Sequence, residues 1–171
     1  MRDNKIIFTI LIFSAISFIV TSIEKRQTTR LETKCMKKKG FVYRYYKAVE
    51  KCFQFLFYDS YVEAINKCKG MGAQLATFKS DDHKILAYNY LDELYNLTAE
   101  GYHTYFFIGL DKRQDGVTFR WIDDGQPIKN ASHYIDVFFY TEDDCVIMYT
   151  QHKDIWTCDC EDFVPFFCEI R

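Results

Sequence analysis

The chain has 171 residues, of which 49% are hydrophobic and 18% aromatic, and its formal net charge is −2. This apolar content excludes a disordered or collagen-like chain and predicts a globular domain with a real core. Because the charge balance is close to neutral, no overall basic excess attracts nucleic acid, and we expect no nucleic-acid partner.

The N-terminus has the layout of a secretory signal peptide. Arg2 and Lys5 precede an uncharged apolar run at residues 6–20. Residues 20–22 then supply small side chains at the spacing of a signal-peptide cleavage site. We predict a cleaved signal at residues 1–22, because the run is shorter than the about 20 apolar residues of a membrane span. Extended to Ile23, the run could instead act as an uncleaved type II anchor, and the basic residues on both of its sides leave the orientation rule undecided. Both alternatives place the rest outside the cytosol, and cleavage would give a secreted protein without stable membrane insertion.

Charge is unevenly distributed along the remaining chain. Residues 23–54 contain ten Lys and Arg against three Glu, whereas residues 55–171 contain ten against twenty acidic residues. Residues 23–51 form a basic segment that we predict to be an N-terminal arm and hairpin. Three alternatives remain for it: a solvated arm, an arm lying on its own acidic domain, or a surface that binds heparin or anionic lipid.

Two helices are predicted in succession. Ser60 and Glu63 have capping-box spacing, and the apolar residues of the first helix are Tyr61, Ala64, Ile65 and Cys68. Gly70 and Gly72 end this pattern. After a short strand at AQLATF, Ser80 is expected to cap a second helix with a stripe of Ala87, Tyr90, Leu91 and Leu94.

The segments after these helices are strand-like. YFFIGLD is an apolar run, RQDG is a turn, and VTFRWID places Val117, Phe119 and Trp121 on one face, which predicts a hairpin. In residues 128–144 the apolar side chains follow neither a helical nor a strand-like spacing. The length of this segment predicts a long functional loop. DCVIMY, IWTCDC and FFCEIR then form three short strands, so the fold class is α+β.

Several short polar motifs lie outside the elements. The acidic clusters DDGQP and EDDC are interpreted as turns and solvated ends. NLT at Asn96 and NAS at Asn130 are predicted N-glycosylation sites on the surface.

The residues do not favour an enzyme. His152 and Cys158 flank a predicted hairpin, but no third group marks them as a catalytic base and nucleophile. The histidines at 83, 103, 133 and 152 lack metal-ligand spacing. We therefore predict no catalytic residue and no metal or other cofactor.

Residues 52–171 resemble the C-type lectin-like domains. The motifs that carry this resemblance are YVEAINKC, FIGLD, FRWIDDGQP, DDCVIMY, the tryptophan at 156 and PFFCEI, in the family's order. The resemblance implies a domain with two helices packed on antiparallel sheets, a long loop and two to three disulfides.

The resemblance also implies how the seven cysteines pair. It joins Cys68 to Cys168 and Cys145 to Cys160, and seven residues between Cys160 and Cys168 match the family's usual gap. Cys35 and Cys52 would form the extra N-terminal bridge of longer members. Cys158 remains, and we expect a buried, inert thiol beside Trp156; the alternative is an interchain bridge in a disulfide-linked dimer.

In this family, calcium held by loop oxygens carries sugar binding. Here Asp143 and Asp144 could serve, but Thr157 and Cys158 replace the family's Asn-Asp pair. Neither proline, at 127 or 165, can supply the family's loop tripeptide. Because calcium takes six to eight oxygen ligands, we do not expect the usual site.

The loop at residues 125–144 instead has an aromatic stretch, with Tyr134, Phe138, Phe139 and Tyr140 as candidate contact residues. These side chains could alternatively pin the loop to the core. We predict a secreted, non-catalytic module that binds an extracellular glycan or protein without calcium. The alternative is a type II membrane-anchored receptor for a protein ligand.

Overall fold

The computed structural model describes residues 28–95, 104–128, 143–150 and 154–171. The predicted signal peptide lies outside these ranges. Within them, no helix has the length and apolar character needed to span a membrane. The helices are α1 (Arg30–Met36), α2 (Tyr61–Gly70) and α3 (Asp81–Tyr95). The strands are β1 (Val42–Tyr46), β2 (Val49–Asp59), β3 (Gln74–Leu75), β4 (Tyr105–Asp111), β5 (Arg120–Trp121), β6 (Cys145–Tyr149), β7 (Ile155–Cys158) and β8 (Val164–Ile170).

The strands form one sheet with the order β1-β2-β8-β4-β6-β7. Adjacent strands in this order run antiparallel, except for β4 and β8, which pair in parallel at Phe107 and Phe166. The two short strands attach to this path, β3 on β8 and β5 on β4. The predicted α+β class is confirmed.

The first predicted helix corresponds to α2. The Glu63 carboxylate accepts hydrogen bonds from the Ser60 backbone nitrogen at 3.4 Å and from the Ser60 hydroxyl at 3.1 Å. These bonds hold the start of the helix, as the capping-box spacing predicts. Its buried side chains are Tyr61, Ala64 and Cys68.

The second predicted helix corresponds to α3, but its stripe differs in the last turn. Ala87, Tyr90 and Leu91 are buried as expected, whereas Leu94 is 49% exposed. Tyr95 contacts β2 in its place, with its ring centroid 6.1 Å from that of Phe55. The prediction for Leu94 was wrong because the larger aromatic ring occupies the contact at the helix end.

The predicted hairpin after β4 is shorter than its alternating pattern indicates. Only Arg120 and Trp121 pair with β4, and Val117 is 80% exposed. The Asp115 carboxylate accepts hydrogen bonds from the backbone nitrogens of Val117 at 2.9 Å and Thr118 at 2.7 Å. This side-chain turn keeps Val117 out of the strand, so its predicted place on one strand face with Phe119 and Trp121 was wrong.

Aromatic rings fill the core around Phe167 of β8. Phe106 and Phe53 pack edge-on against it, with ring centroids 4.9 Å and 5.1 Å away. Such edge-to-face pairs stabilise a core beyond the area that they bury.

Three disulfides connect the elements, and they are the pairs that the resemblance implies. Cys35 and Cys52 join α1 to β2, Cys68 and Cys168 join α2 to β8, and Cys145 and Cys160 join β6 to the turn after β7. Cys158 is the free cysteine.

Three cations of the basic segment contact the acidic domain. Arg44 pairs with Glu93 at 2.5 Å, Lys47 with Asp82 at 2.9 Å, and the buried Lys51 with Glu169. The second of the three alternatives therefore holds for these cations.

One of the acidic clusters is also more than a solvated turn. The side chain of Asp123, in DDGQP, is 1% exposed and pairs with Lys79 at 2.7 Å and with Arg171. The interpretation as a solvated end was wrong for Asp123, because two cations from distant parts of the chain enclose it.

Lys51→Met tests the buried pair. Lys51 donates through Nζ to the Thr77 carbonyl at 2.7 Å and to the Glu169 carboxylate, and burial lowers the pKa of Lys51. The substitution leaves Glu169 charged and buried, so we expect a loss of about 3–5 kcal/mol in the free energy of unfolding, measured in urea. Lys47→Met is the control and should change stability little, because its pair with Asp82 is exposed. Equal losses in both variants would contradict the role of burial.

Candidate functional site

The ends of β4, β6 and β7 meet at one edge of the sheet. Cys145 and Cys158 are cross-strand partners in the β6–β7 pair. The backbone nitrogen of Lys112, just after β4, donates to the carbonyl of Asp144 at 2.9 Å. These contacts bring Asp143, Asp144 and Thr157 into one region, as the sequence comparison with the family expects.

Carboxylates crowd around Asp143. Burial raises the pKa of Asp143, and the negative charges of Asp159 and Asp162 raise it further, while Lys112 and a hydrogen bond with Thr157 oppose the shift. The region is therefore negatively charged, with one nearby ammonium that partly compensates it.

That ammonium group belongs to Lys112, which no sequence motif indicates. Lys112 is only 7% exposed, its Nζ lies 3.7 Å from Asp144 Oδ1, and it also lies 5.7 Å from the ring centroid of Phe119. In the sequence, Lys112 follows an apolar strand and looks like an ordinary turn residue, so no local pattern indicates its burial.

The described part of this region does not fit the family's calcium site. At the position of the Asn-Asp pair, Thr157 offers a single hydroxyl and Cys158 a thiol, which is a soft ligand, whereas calcium binds oxygen. In the ranges that the structure describes, no group of three or more His, Cys, Asp or Glu residues could hold a metal ion. Asp144 already faces the Lys112 ammonium group.

Cys158 lies in the core rather than at the surface. It is 8% exposed and belongs to the same apolar cluster as Tyr61, Phe107 and Val164. Burial raises the pKa of the Cys158 thiol well above its ordinary value, and Asp162, Asp143 and Asp159 contribute further. Because the thiolate is the reactive form, this environment supports the expectation of an inert thiol.

The expected neighbour of Cys158 is placed differently. Trp156 is 37% exposed and stacks on Tyr149, with 5.6 Å between the ring centroids. The expectation that Trp156 and Cys158 share a buried face was wrong for Trp156. On that face the core covers Cys158 but not Trp156, whereas at the start of the strand Ile155, on the opposite face, makes the core contact.

Six predicted site residues lie outside the described residues. They are the loop residues Tyr134, Phe138, Phe139 and Tyr140 and the glycosylation sites Asn96 and Asn130. Their roles stay predictions.

The reactivity of Cys158 is directly testable. In the native protein at neutral pH, we expect iodoacetamide to label Cys158 at least about tenfold more slowly than in guanidinium, because burial suppresses its thiolate. The rate should rise with pH, since deprotonation exposes the nucleophile. Rapid native labelling, or a disulfide-linked dimer that Cys158→Ser abolishes, would contradict this prediction.

Comparisons with solved structures give the same fold. Human lithostathine superposes with a TM-score of 0.59 at 15% identity, and the match covers 86% of this chain and 99% of that one. The mouse scavenger receptor C-type lectin carbohydrate-recognition domain gives a TM-score of 0.56 at 17% identity, covering 75% and 93%. The C-type carbohydrate-recognition domain of cow CD23, solved in the presence of a GlcNAc2Man3 oligosaccharide, gives 0.56 at 17%, covering 77% and 93%. At these identities the likeness concerns the fold alone.

The family is shown by the sequence itself. The model of the lectin C-type domain matches residues 58–170, which is more than half of the chain. This protein therefore belongs to the C-type lectin domain family.

Proposed function

We propose that the protein is a secreted, non-catalytic binding module that recognises a glycan or protein ligand without calcium. The observation that carries this proposal is the replacement of the family's ligand pair by Thr157 and the buried Cys158 thiol. The Lys112 ammonium beside Asp144 supports it, because a fixed positive charge opposes the binding of a cation there.

The geometry at both ends of the long loop supports its role in binding. Ile128 donates through its backbone nitrogen to the Phe119 carbonyl at 3.1 Å, and Asp144 accepts from the Lys112 nitrogen at 2.9 Å. Lys112 Nζ lies 5.7 Å from the Phe119 ring centroid, so the two ends of the loop are held beside the same pair of residues. A loop displayed from such a rigid base is a common location for binding residues.

The chemistry of the loop favours contact through aromatic rings. Tyr134, Phe138, Phe139 and Tyr140 have large apolar surfaces and few rotatable bonds, so they bury area at a low entropic cost. Such rings pack against protein side chains and against the apolar faces of sugars. The ligand is therefore recognised by ring contact instead of by metal coordination.

Calcium dependence tests the first part of the proposal. We expect that calcium and chelator leave the melting temperature unchanged, and that binding on a glycan array is the same in both conditions. A site whose Kd lies 100-fold below the calcium concentration would stabilise the fold by about 2.7 kcal/mol, which a melting curve readily detects. A calcium-induced rise of several degrees would contradict the proposal. N-terminal sequencing of the secreted protein separates it from the membrane-anchored alternative.

Alanine substitutions test the second part. Phe138→Ala and Phe139→Ala should each weaken ligand binding by about tenfold or more, as truncation of an interface hot spot does. Their melting temperatures should stay close to that of the wild type. Tyr45→Ala is the matched control, because Tyr45 is 57% exposed on β1, away from the loop ends, and should leave both properties unchanged. Unfolding of the two Phe variants would instead place these rings in the core.

A further inference from the structure

A concave site lies between α1, the start of β2, the start of α3 and the end of β8. This terminal cleft has a volume of about 550 Å³, which is within the range of small-molecule sites. Its charged and polar lining residues are Arg30, Lys34, Glu50, Lys51, His83 and Arg171, with Glu169 at its floor. It shares no residue with the site around Lys112 and Asp144.

The lining of the terminal cleft is predominantly positive. Four cationic side chains face it against two carboxylates. Of those carboxylates, Glu169 is already paired with Lys51, and Glu50 accepts a hydrogen bond from the Tyr43 hydroxyl at 2.7 Å. The acidic lining residues are thus engaged inside the protein.

The two cations on α1, Arg30 and Lys34, are not paired with a carboxylate of the protein in the described ranges. Lys34 donates through Nζ to a main-chain oxygen of Arg171 at 2.9 Å. Among the described residues, neither Arg30 nor Lys34 forms a salt bridge with a side-chain carboxylate. Both side chains are exposed, so they can approach a ligand in the cleft.

His83 adds an unsatisfied polar atom to this wall. Its Nδ1 is buried and has no hydrogen-bond partner among the described residues. A buried polar group without a partner is costly, so native structures rarely retain one without a ligand, a water or a function that explains it.

We propose that the terminal cleft binds a sulfate or carboxylate group carried by an acidic saccharide. An oxyanion can accept hydrogen bonds from Arg30 and Lys34, which supply the forked and point-charge donors typical of such sites, and from Nδ1–H of His83. The cleft is larger than one oxyanion, and Leu31 and Ile170 give it an apolar wall against which a sugar ring can pack. Both size and lining therefore favour a saccharide over a free inorganic ion.

Proton linkage gives the proposal a distinctive signature. Burial lowers the pKa of His83, and the positive charges of Lys51 on β2 and Arg171 just after β8 lower it further, against the opposing charges of Glu169 and Asp82. A bound anion favours the imidazolium form and raises this pKa. Binding then takes up a proton, so affinity should increase as the pH falls through the interval between the free and bound pKa values of His83.

The test is calorimetric titration of the full-length mature protein with a fully sulfated heparin disaccharide. We expect this disaccharide to bind, its unsulfated counterpart, which keeps only the uronate carboxylate, to bind more weakly, and an uncharged disaccharide to fail. Arg30→Ala and Lys34→Ala should each weaken binding by about tenfold, the size of effect expected for loss of one charge-assisted contact. Lys37→Ala and Lys39→Ala are matched controls, because they remove the same charge from the adjoining turn outside the cleft, and they should bind normally.

His83→Gln keeps a neutral polar side chain and should flatten the pH dependence while retaining binding at high pH. In NMR titrations, saturation with the disaccharide should raise the pKa of His83. Equal losses in the Lys37 and Lys39 variants would reduce the effect to general surface attraction and overturn the proposal. Equal affinity for inorganic sulfate or for an acidic peptide would overturn the assignment to a saccharide. Phe138→Ala should leave this binding unchanged, so failure here is distinguishable from failure of the loop as the ligand site.

Discussion

The buried carboxylate of Glu169 is the constraint on which much of this structure depends. Its side chain is 1% exposed, and a charge placed there must be satisfied from within the protein. Lys51 from β2 and Arg171, just after β8, supply cations. Gln74 Nε2 at 2.9 Å and the Thr77 hydroxyl at 3.2 Å supply neutral donors. Glu169 thereby holds β2, β3 and the end of β8 in one arrangement.

This arrangement links the fold to both candidate sites. Lys51 and Glu169 form the floor of the terminal cleft, whereas Cys168, the neighbour of Glu169, ties α2 to the same strand. The parallel contact between β8 and β4 connects this part of the sheet to Lys112, which follows β4. The backbone nitrogen of Lys112 in turn bonds to Asp144 at the end of the long loop. Binding residues carried on a loop need such a fixed base.

Local chemistry could predict much of the fold but little of the charge network. Ser60 and Glu63 predict the start of α2, because a capping box involves residues only three positions apart. Glu169 and Lys51 are 118 residues apart, and no periodicity connects them. The burial of Lys112 and Asp123 depends on partners in the same way. Val117 shows a second limit, since an aspartate turn overrode its strand-like alternation. For the long loop, sequence indicates the chemistry of the side chains but gives no register that would fix their positions.

The cross-strand position of Cys158 has a consequence for oxidative folding. Cys145 can form a bond with Cys158 or with Cys160, and the two loops differ by only two residues, so closure entropy hardly distinguishes them. Native packing makes the choice, because it buries Cys158 and holds Cys160 at the turn where its carbonyl accepts from the Tyr61 nitrogen at 2.9 Å. A mispaired Cys145–Cys158 bond leaves the Cys160 thiol free, and that thiol can restore the native pair by exchange. In this exchange the Cys160 thiolate attacks the Cys145 sulfur and Cys158 leaves as the free thiol, so the native bridge forms from the mispaired one without an external oxidant.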